Sequence, residues 1–172
     1  ITTDHQQRIA QSSWVYDIVE LGYNYRLTDI QCALGISQLP KLSARIARRQ
    51  AIADEYLRDF AAFREVRPLA VRRDASHAYH LFVVRLDLTR LGCDRATAFT
   101  ALRREGIGVN VHYIPVHLHP FYRRRFGTAP GLAPVAEAAY QEILTLPMFP
   151  TMTARDVRDV IEAVTKVVEA FR

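Results

Sequence analysis

Four consecutive side chains, Tyr23, Asn24, Tyr25 and Arg26, set two phenols, a carboxamide and a guanidinium directly ahead of a helix start. Groups of these types bind phosphate or polar sugar oxygens, the guanidinium in bidentate fashion. Thr28 is a good N-cap, and Gln31 three positions later completes the spacing of a capping box. Asn24 and Arg26 therefore fall on the approach to a helix N-terminus, where free N–H groups and the helix dipole attract anions. The plainer reading is a turn leading into an amphipathic helix, because capping boxes are common and anion sites are few.

A second group with chemical potential follows residue 110. His112, Tyr113, His117, His119 and Tyr122 lie in and around a loop punctuated by Pro115 and Pro120. The spacing H-x4-H-x-H could gather a metal, but a transition-metal site needs its ligands on rigid elements, and two prolines interrupt this one. No metal is expected. Aromatic platforms with neutral donors suit a sugar or nucleotide pocket, and Tyr113, His117 and Tyr122 supply them. His77 and His80 flank a strand and read as partners for backbone groups. Cys32 and Cys93 fit no metal spacing, and the apolar helix face that carries Cys32 marks it as a small core residue.

The elements that must hold these groups can be read from periodicity. Apolar residues recur at helical spacing over 29–60, from Ile30, Ala33 and Leu34 to Tyr56, Leu57 and Phe60, which predicts one long amphipathic helix. Pro40 removes a hydrogen bond to the Ile36 carbonyl, so a kink or break is expected near Leu39. Residues 78–86 alternate as a strand, with His80, Phe82, Val84 and Leu86 on one face. A helix over 95–105 ends at Gly106, and 107–113 reads as a second strand. A short helix over 134–141, a strand over 143–146 and a closing helix over 154–171 complete the chain. The closing helix is capped by Thr153, with Asp156 in its first turn and Val157, Val160, Ile161, Val164 and Val168 as its inner stripe. This order predicts an α+β fold: an arm over 1–28, a long helix over 29–60, and a small domain over 61–172 built as a short sheet flanked by helices.

Composition narrows the function classes. With 172 residues and 49% hydrophobic content the chain can bury a real core. No run approaches about 18 consecutive apolar residues, so no membrane span is expected, and the polar opening residues do not read as a secretory signal. The expected setting is cytoplasmic. The first residue is not methionine, from which a preceding stretch of chain is expected. The net charge of +5 is mostly arginine, in groups such as Arg48-Arg49, Arg72-Arg73 and Arg123-Arg124-Arg125. These are scattered, interleaved with acids and unaccompanied by an RNA-binding strand motif or a helix-turn-helix, so nucleic acid is not an expected partner.

The run Gly22-Tyr-Asn-Tyr-Arg-Leu-Thr-Asp-Ile-Gln31, continuing Cys-Ala-Leu-Gly-Ile-Ser-Gln-Leu39, resembles the signature of the DegT-type nucleotide-sugar aminotransferases, pyridoxal phosphate (PLP) enzymes of fold type I. His77-Ala-Tyr-His-Leu-Phe82, Gly106-Ile-Gly-Val-Asn-Val-His-Tyr-Ile-Pro-Val-His117 and Leu146-Pro-Met-Phe-Pro150 are similar to the family's later blocks in the same order. The branch closest in appearance aminates UDP-linked 4-keto-6-deoxy-N-acetylhexosamines, as the UDP-4-amino-4,6-dideoxy-N-acetyl-altrosamine transaminases do. The resemblance implies a long interdomain helix and the C-terminal small domain of such an enzyme. It implies a homodimer with a shared active site, in which Asn24 reaches the partner subunit's PLP phosphate and Arg26 stands near the substrate entrance. It also implies that Tyr25, His112, Tyr113, His117 and Tyr122 help to form a nucleotide-sugar pocket, with glutamate as amino donor.

The chemistry of the family needs a lysine for the Schiff base and a carboxylate facing the pyridine nitrogen. The chain has two lysines, Lys41 after Pro40 and Lys166 in the closing helix, and neither has a cofactor-like context. By the resemblance, the Schiff-base lysine belongs to the large domain that precedes this region, so no catalytic residue is assigned here and the chain alone is expected to be inactive. The same residues leave open a non-catalytic nucleotide-sugar-binding module, or an oligomerisation module, derived from the family.

Overall fold

The computed structural model describes Tyr23 and residues 25–172. The chain divides into two compact units, Ile1–Pro40 and Lys41–Arg172. The described part of the first unit is dominated by α1, Asp29–Gln38. Its start is closed by the capping box that the residue types predict. The Gln31 N–H donates to Thr28 Oγ1 at 3.3 Å, and the Thr28 N–H donates to Gln31 Oε1 at 2.9 Å. Ile30, Leu34 and Ile36 are exposed, and so is Cys32. This corrects the placement of Cys32 in a core: the apolar spacing is present, but α1 buries none of its residues.

The helix predicted over 29–60 is two helices. After Gln38 the chain makes a 3-10 turn, Leu39–Lys41, and α2 then runs Leu42–Phe60. Pro40 has no N–H to continue the α-helical ladder, and its ring crowds the preceding turn, so the tighter turn replaces it.

The second unit is built on a three-stranded antiparallel sheet in the order β1, Val66–Pro68, β2, Phe82–Leu86, and β3, Ile143–Leu146. Val66 pairs with Leu86, and Phe82 pairs with Leu146. Phe82, Val84 and Leu86 are buried on one face of β2, as the alternation predicts. Between β2 and β3 lie α3, Leu88–Leu91, and α4, Arg95–Arg104, then a 3-10 turn, Val116–Leu118. Two further helices follow, α5, Pro120–Phe126, and α6, Pro134–Glu142. The closing helix α7, Ala154–Phe171, carries a capping box formed by Thr153 and Asp156 and buries Val157, Val160, Val164 and Val168.

Two strand expectations are corrected. Residues 107–113 do not form a strand: only Asn110 pairs, across an isolated bridge to Thr145. The Val111 N–H turns back to Asn110 Oδ1 at 2.8 Å, so the ladder stops after one residue. The strand expected from residue 78 begins only at Phe82, because Tyr79 takes a positive φ of 47° and its N–H donates to His77 Nδ1 at 3.0 Å. The imidazole of His77 thus serves a backbone group, as its flanking position predicts. Strand β1, at three residues, is too short to show any period.

The core joins α2, the sheet and α7. Ile52, Ala53, Tyr56 and Phe60 of α2 are buried with the β2 and α7 residues in a single cluster. Arginine fastens the rest of α2. Arg48 Nη2 donates to the Met152 carbonyl at 2.6 Å, and Arg49 Nη1 lies 2.8 Å from the Tyr79 carbonyl and 3.1 Å from those of His80 and Met148. One guanidinium therefore ties both segments that flank the sheet's end to α2. Replacing Arg49 by Met keeps the apolar stem and removes these bonds. We expect a loss of about 2 kcal/mol in urea unfolding, in the range for hydrogen bonds to charged groups.

Candidate functional site

The two clusters singled out by residue type fall in different units. In the first, Tyr23 and Tyr25 are exposed, with ring centroids 5.8 Å apart and the planes inclined at 55°. Arg26 is exposed just before the Thr28 cap. Asn24 lies outside the described residues. Phenols and a guanidinium held in the open beside a helix start can present donors to an anionic or polar ligand.

In the second unit, each of the residues expected to line a pocket has a definite surrounding. His112 Nδ1 is 2.9 Å from Thr145 Oγ1, and its Nε2 is 3.4 Å from Asn110 Nδ2. Thr145 is buried, so the imidazole is fixed against the edge of β3 by a shared hydrogen. The Tyr113 ring meets that imidazole edge-on at 4.5 Å and is itself exposed. Tyr122 stacks on Phe126 at 6.0 Å and meets Phe121 at 5.4 Å, giving an exposed aromatic trio on α5.

His117 is placed differently. Its Nε2 lies 2.8 Å from Glu137 Oε1, and its side chain is 13% exposed. The Glu137 carboxylate also accepts from the Gly131 N–H at 2.9 Å and from the Ala133 N–H at 3.2 Å. The Gly131 N–H first, and then the His117 ring, hold its pKa below the usual glutamate range. Among the described residues, no three His, Cys, Asp or Glu side chains converge as metal ligands.

Residue types and spacing single out none of Asn110, Thr145, Glu137 and Thr128, which fix the histidines. Glu137 stands in the first turn of α6, where an acid is ordinary, and nothing local links it to a histidine twenty residues earlier. The pair is legible only in three dimensions.

Residues 3–165 match the DegT/DnrJ/EryC1/StrS aminotransferase family. The chain is 39% identical over 161 residues to the spore coat polysaccharide biosynthesis protein SpsC of Bacillus subtilis, covering 93% of the chain and 41% of that protein. It superposes on Helicobacter pylori PseC, an aminotransferase involved in the biosynthesis of pseudoaminic acid, with a TM-score of 0.78, 28% identity, 94% of this chain and 43% of that one. A sugar aminotransferase of Streptococcus pneumoniae in its PLP form gives a TM-score of 0.78 at 31% identity, with 92% and 40% coverage. The chain thus spans about two fifths of the length of the proteins it matches. Its short sheet flanked by helices matches the C-terminal part of the fold type I aminotransferases.

The His112 to Thr145 contact can be tested apart from the backbone, because the Asn110 bridge uses only main-chain groups of Thr145. We expect Thr145→Val to cost about 1 kcal/mol in thermal or urea unfolding. The same variant should move the His112 ring nitrogens in a 15N spectrum.

Proposed function

The chain belongs to the DegT/DnrJ/EryC1/StrS aminotransferase family, and from that premise we propose that it is the C-terminal portion of a PLP-dependent sugar aminotransferase. The complete enzyme transfers an amino group from glutamate to the 4-keto carbon of a UDP-linked 6-deoxy sugar. The observation that carries this reading is the match across residues 3–165, set against coverage of about two fifths of the related proteins.

The cofactor of the family is PLP. When bound, it supplies an electron sink for moving the proton and amino group. This chain's own residues do not fit covalent attachment of the group. Lys166 is exposed, with Nζ 2.7 Å from Glu105 Oε2, and Lys41 is exposed in the 3-10 turn after Pro40. Neither amine is enclosed in a pocket that could shield a reactive nitrogen from water. We therefore assign the chain a supporting role: it presents groups to a cofactor and substrate whose covalent partner lies elsewhere. Asn24 reaches the PLP phosphate of the second subunit of a homodimer, with Arg26 and Tyr25 at the substrate entrance. His112, Tyr113 and Tyr122 shape the nucleotide-sugar pocket, and His117 contributes to it through the loop it holds.

Charge supports a diphosphate-bearing substrate. Arg123 and Arg124 line a shallow concavity of about 340 Å³ beside the aromatic trio. Among the described residues, no carboxylate pairs with Arg123, Arg124 or Arg125. Positive potential next to ring faces is the combination that attracts a nucleoside diphosphate.

The purified chain mixed with PLP and glutamate should show no aldimine absorbance that survives gel filtration, no pyridoxyl group fixed to the protein by borohydride reduction, and no amine transfer to a UDP-4-keto sugar. Turnover by this chain alone would sink the reading. In a polypeptide that also carries the lysine-bearing domain, Asn24→Ala should lose cofactor on dialysis, seen as a fall in visible aldimine absorbance. Unchanged absorbance there would remove Asn24 from the phosphate site.

A further inference from the structure

Between Val109 and Leu144 the chain buries no side chain in the core. Val116, Phe121, Phe126 and Leu132 are each about 60% exposed, so apolar burial does little to hold this stretch. Val111 packs against the core at the start of this stretch, and the loop over 117–133 that follows depends on its polar contacts. Within that loop they converge on one carboxylate. Glu137 accepts from His117 Nε2 at 2.8 Å, from the Gly131 N–H with both oxygens at 2.9 Å, and from the Ala133 N–H at 3.2 Å. Thr128 Oγ1 adds a tie to the His117 carbonyl at 2.7 Å.

The local chemistry explains why these donors meet here. Gly131 has a φ of +92°, which an L side chain rarely adopts, and this turns its N–H onto the carboxylate. Helix α6 begins with Pro134 and has no side-chain cap from Ala133, so Glu137 takes over the N–H groups that precede it and also meets the favourable end of the dipole. With its Nε2 hydrogen directed to Glu137, the His117 imidazole serves as the near end of a closed loop.

We propose that Glu137 is a positioning residue: its carboxylate fastens His117 to Gly131 and Ala133, closes the loop over 117–133, and so sets where Tyr122 stands against the nucleotide sugar. The last step rests on the function proposed above; the fastening does not. The loop is thus a rigid platform, and His117 acts through its anchorage.

The test uses the purified chain with Glu137→Ala and Glu137→Gln, followed by hydrogen exchange, trypsin digestion, and 19F spectra of fluorotyrosine-labelled protein. In Glu137→Ala, exchange at the Gly131 and Ala133 amides and cleavage after Arg123, Arg124 or Arg125 should each rise by about tenfold, the factor for loss of one to two hydrogen bonds. The Leu144 and Val164 amides should keep their protection, and the Tyr122 line should broaden while the Tyr113 line, against His112, changes less. The His117 ring nitrogens should shift, which a general loosening would not produce. Glu137→Gln keeps one acceptor oxygen and should fall between the two; if Glu137→Ala also loses Leu144 protection, Glu137→Gln carries the comparison. Unchanged exchange, cleavage and tyrosine lines would overturn the proposal. With UDP as the probe, a shift of the wild-type Tyr122 line supports the step toward substrate. If the loop loosens in the variant but UDP moves neither tyrosine line, the fastening stands and the step toward substrate is overturned together with the substrate reading.

Discussion

The docking of α2 on the sheet is the constraint on which the rest of the 41–172 unit depends. Tyr56 is fully buried, its ring stacked on Phe60 at 5.6 Å and edge-on to Phe82 at 5.0 Å, and its hydroxyl donates to the Pro147 carbonyl at 3.0 Å. A buried phenol is favourable only if its O–H finds a partner. Burial raises its pKa far above the usual tyrosine value, so the O–H stays a donor at any ordinary pH. The same contact fixes the chain just after β3, where Arg48 and Arg49 fasten further carbonyls. Helix α2 is thus both one wall of the core and the clamp on the segments that leave the sheet.

That arrangement divides the unit into regions held by different forces. The sheet, α2 and α7 are held by burial, with Leu144, Val84 and Val157 essentially without exposure. The stretch from Asn110 to Ile143 is held by directed polar contacts: the Asn110 bridge, the His112 to Thr145 contact, and the Glu137 carboxylate. Polar contacts fix position without filling space, so a loop can stay ordered while leaving ring faces and guanidinium groups open. Groups that meet a ligand must remain open in this way, and a rigid scaffold beneath them is what makes their placement useful.

What could be read from residue types follows the range over which the information is written. Both capping boxes, at Thr28 and Thr153, are complete within four residues, and the valine stripe of α7 and the alternation of β2 lie within one element each. The Pro40 break is equally local. Residues 107–113 alternate as a strand would, but alternating apolar residues cannot show that Asn110 will capture the Val111 N–H. The Arg49 carbonyl clamp and the His117 to Glu137 pair join residues far apart in sequence, and no local pattern carries them. The α1 stripe is the reverse case: its periodicity is clear, and Cys32 lies exposed on it because periodicity does not say whether a covering surface is present.

The arginine excess shows how composition divides between structure and recognition. Most of these side chains have local tasks: Arg49 serves three carbonyls, Arg85 pairs with Glu142, Arg72 with Asp74, Arg90 with Asp87, and Arg103 lies over the Phe99 ring at 5.4 Å. Arginine suits such work because its planar fork can reach several oxygens while its stem packs against apolar surface. Arg123, Arg124 and Arg125 are the contrast, standing exposed on α5 beside Phe121, Tyr122 and Phe126 within the segment that buries nothing. Their positive charges are concentrated on a single short helix. The two lysines, by comparison, sit on outward faces remote in type from any reactive role. The cations of this unit thus divide between fixing carbonyls and carboxylates within the fold and forming one exposed basic cluster on α5.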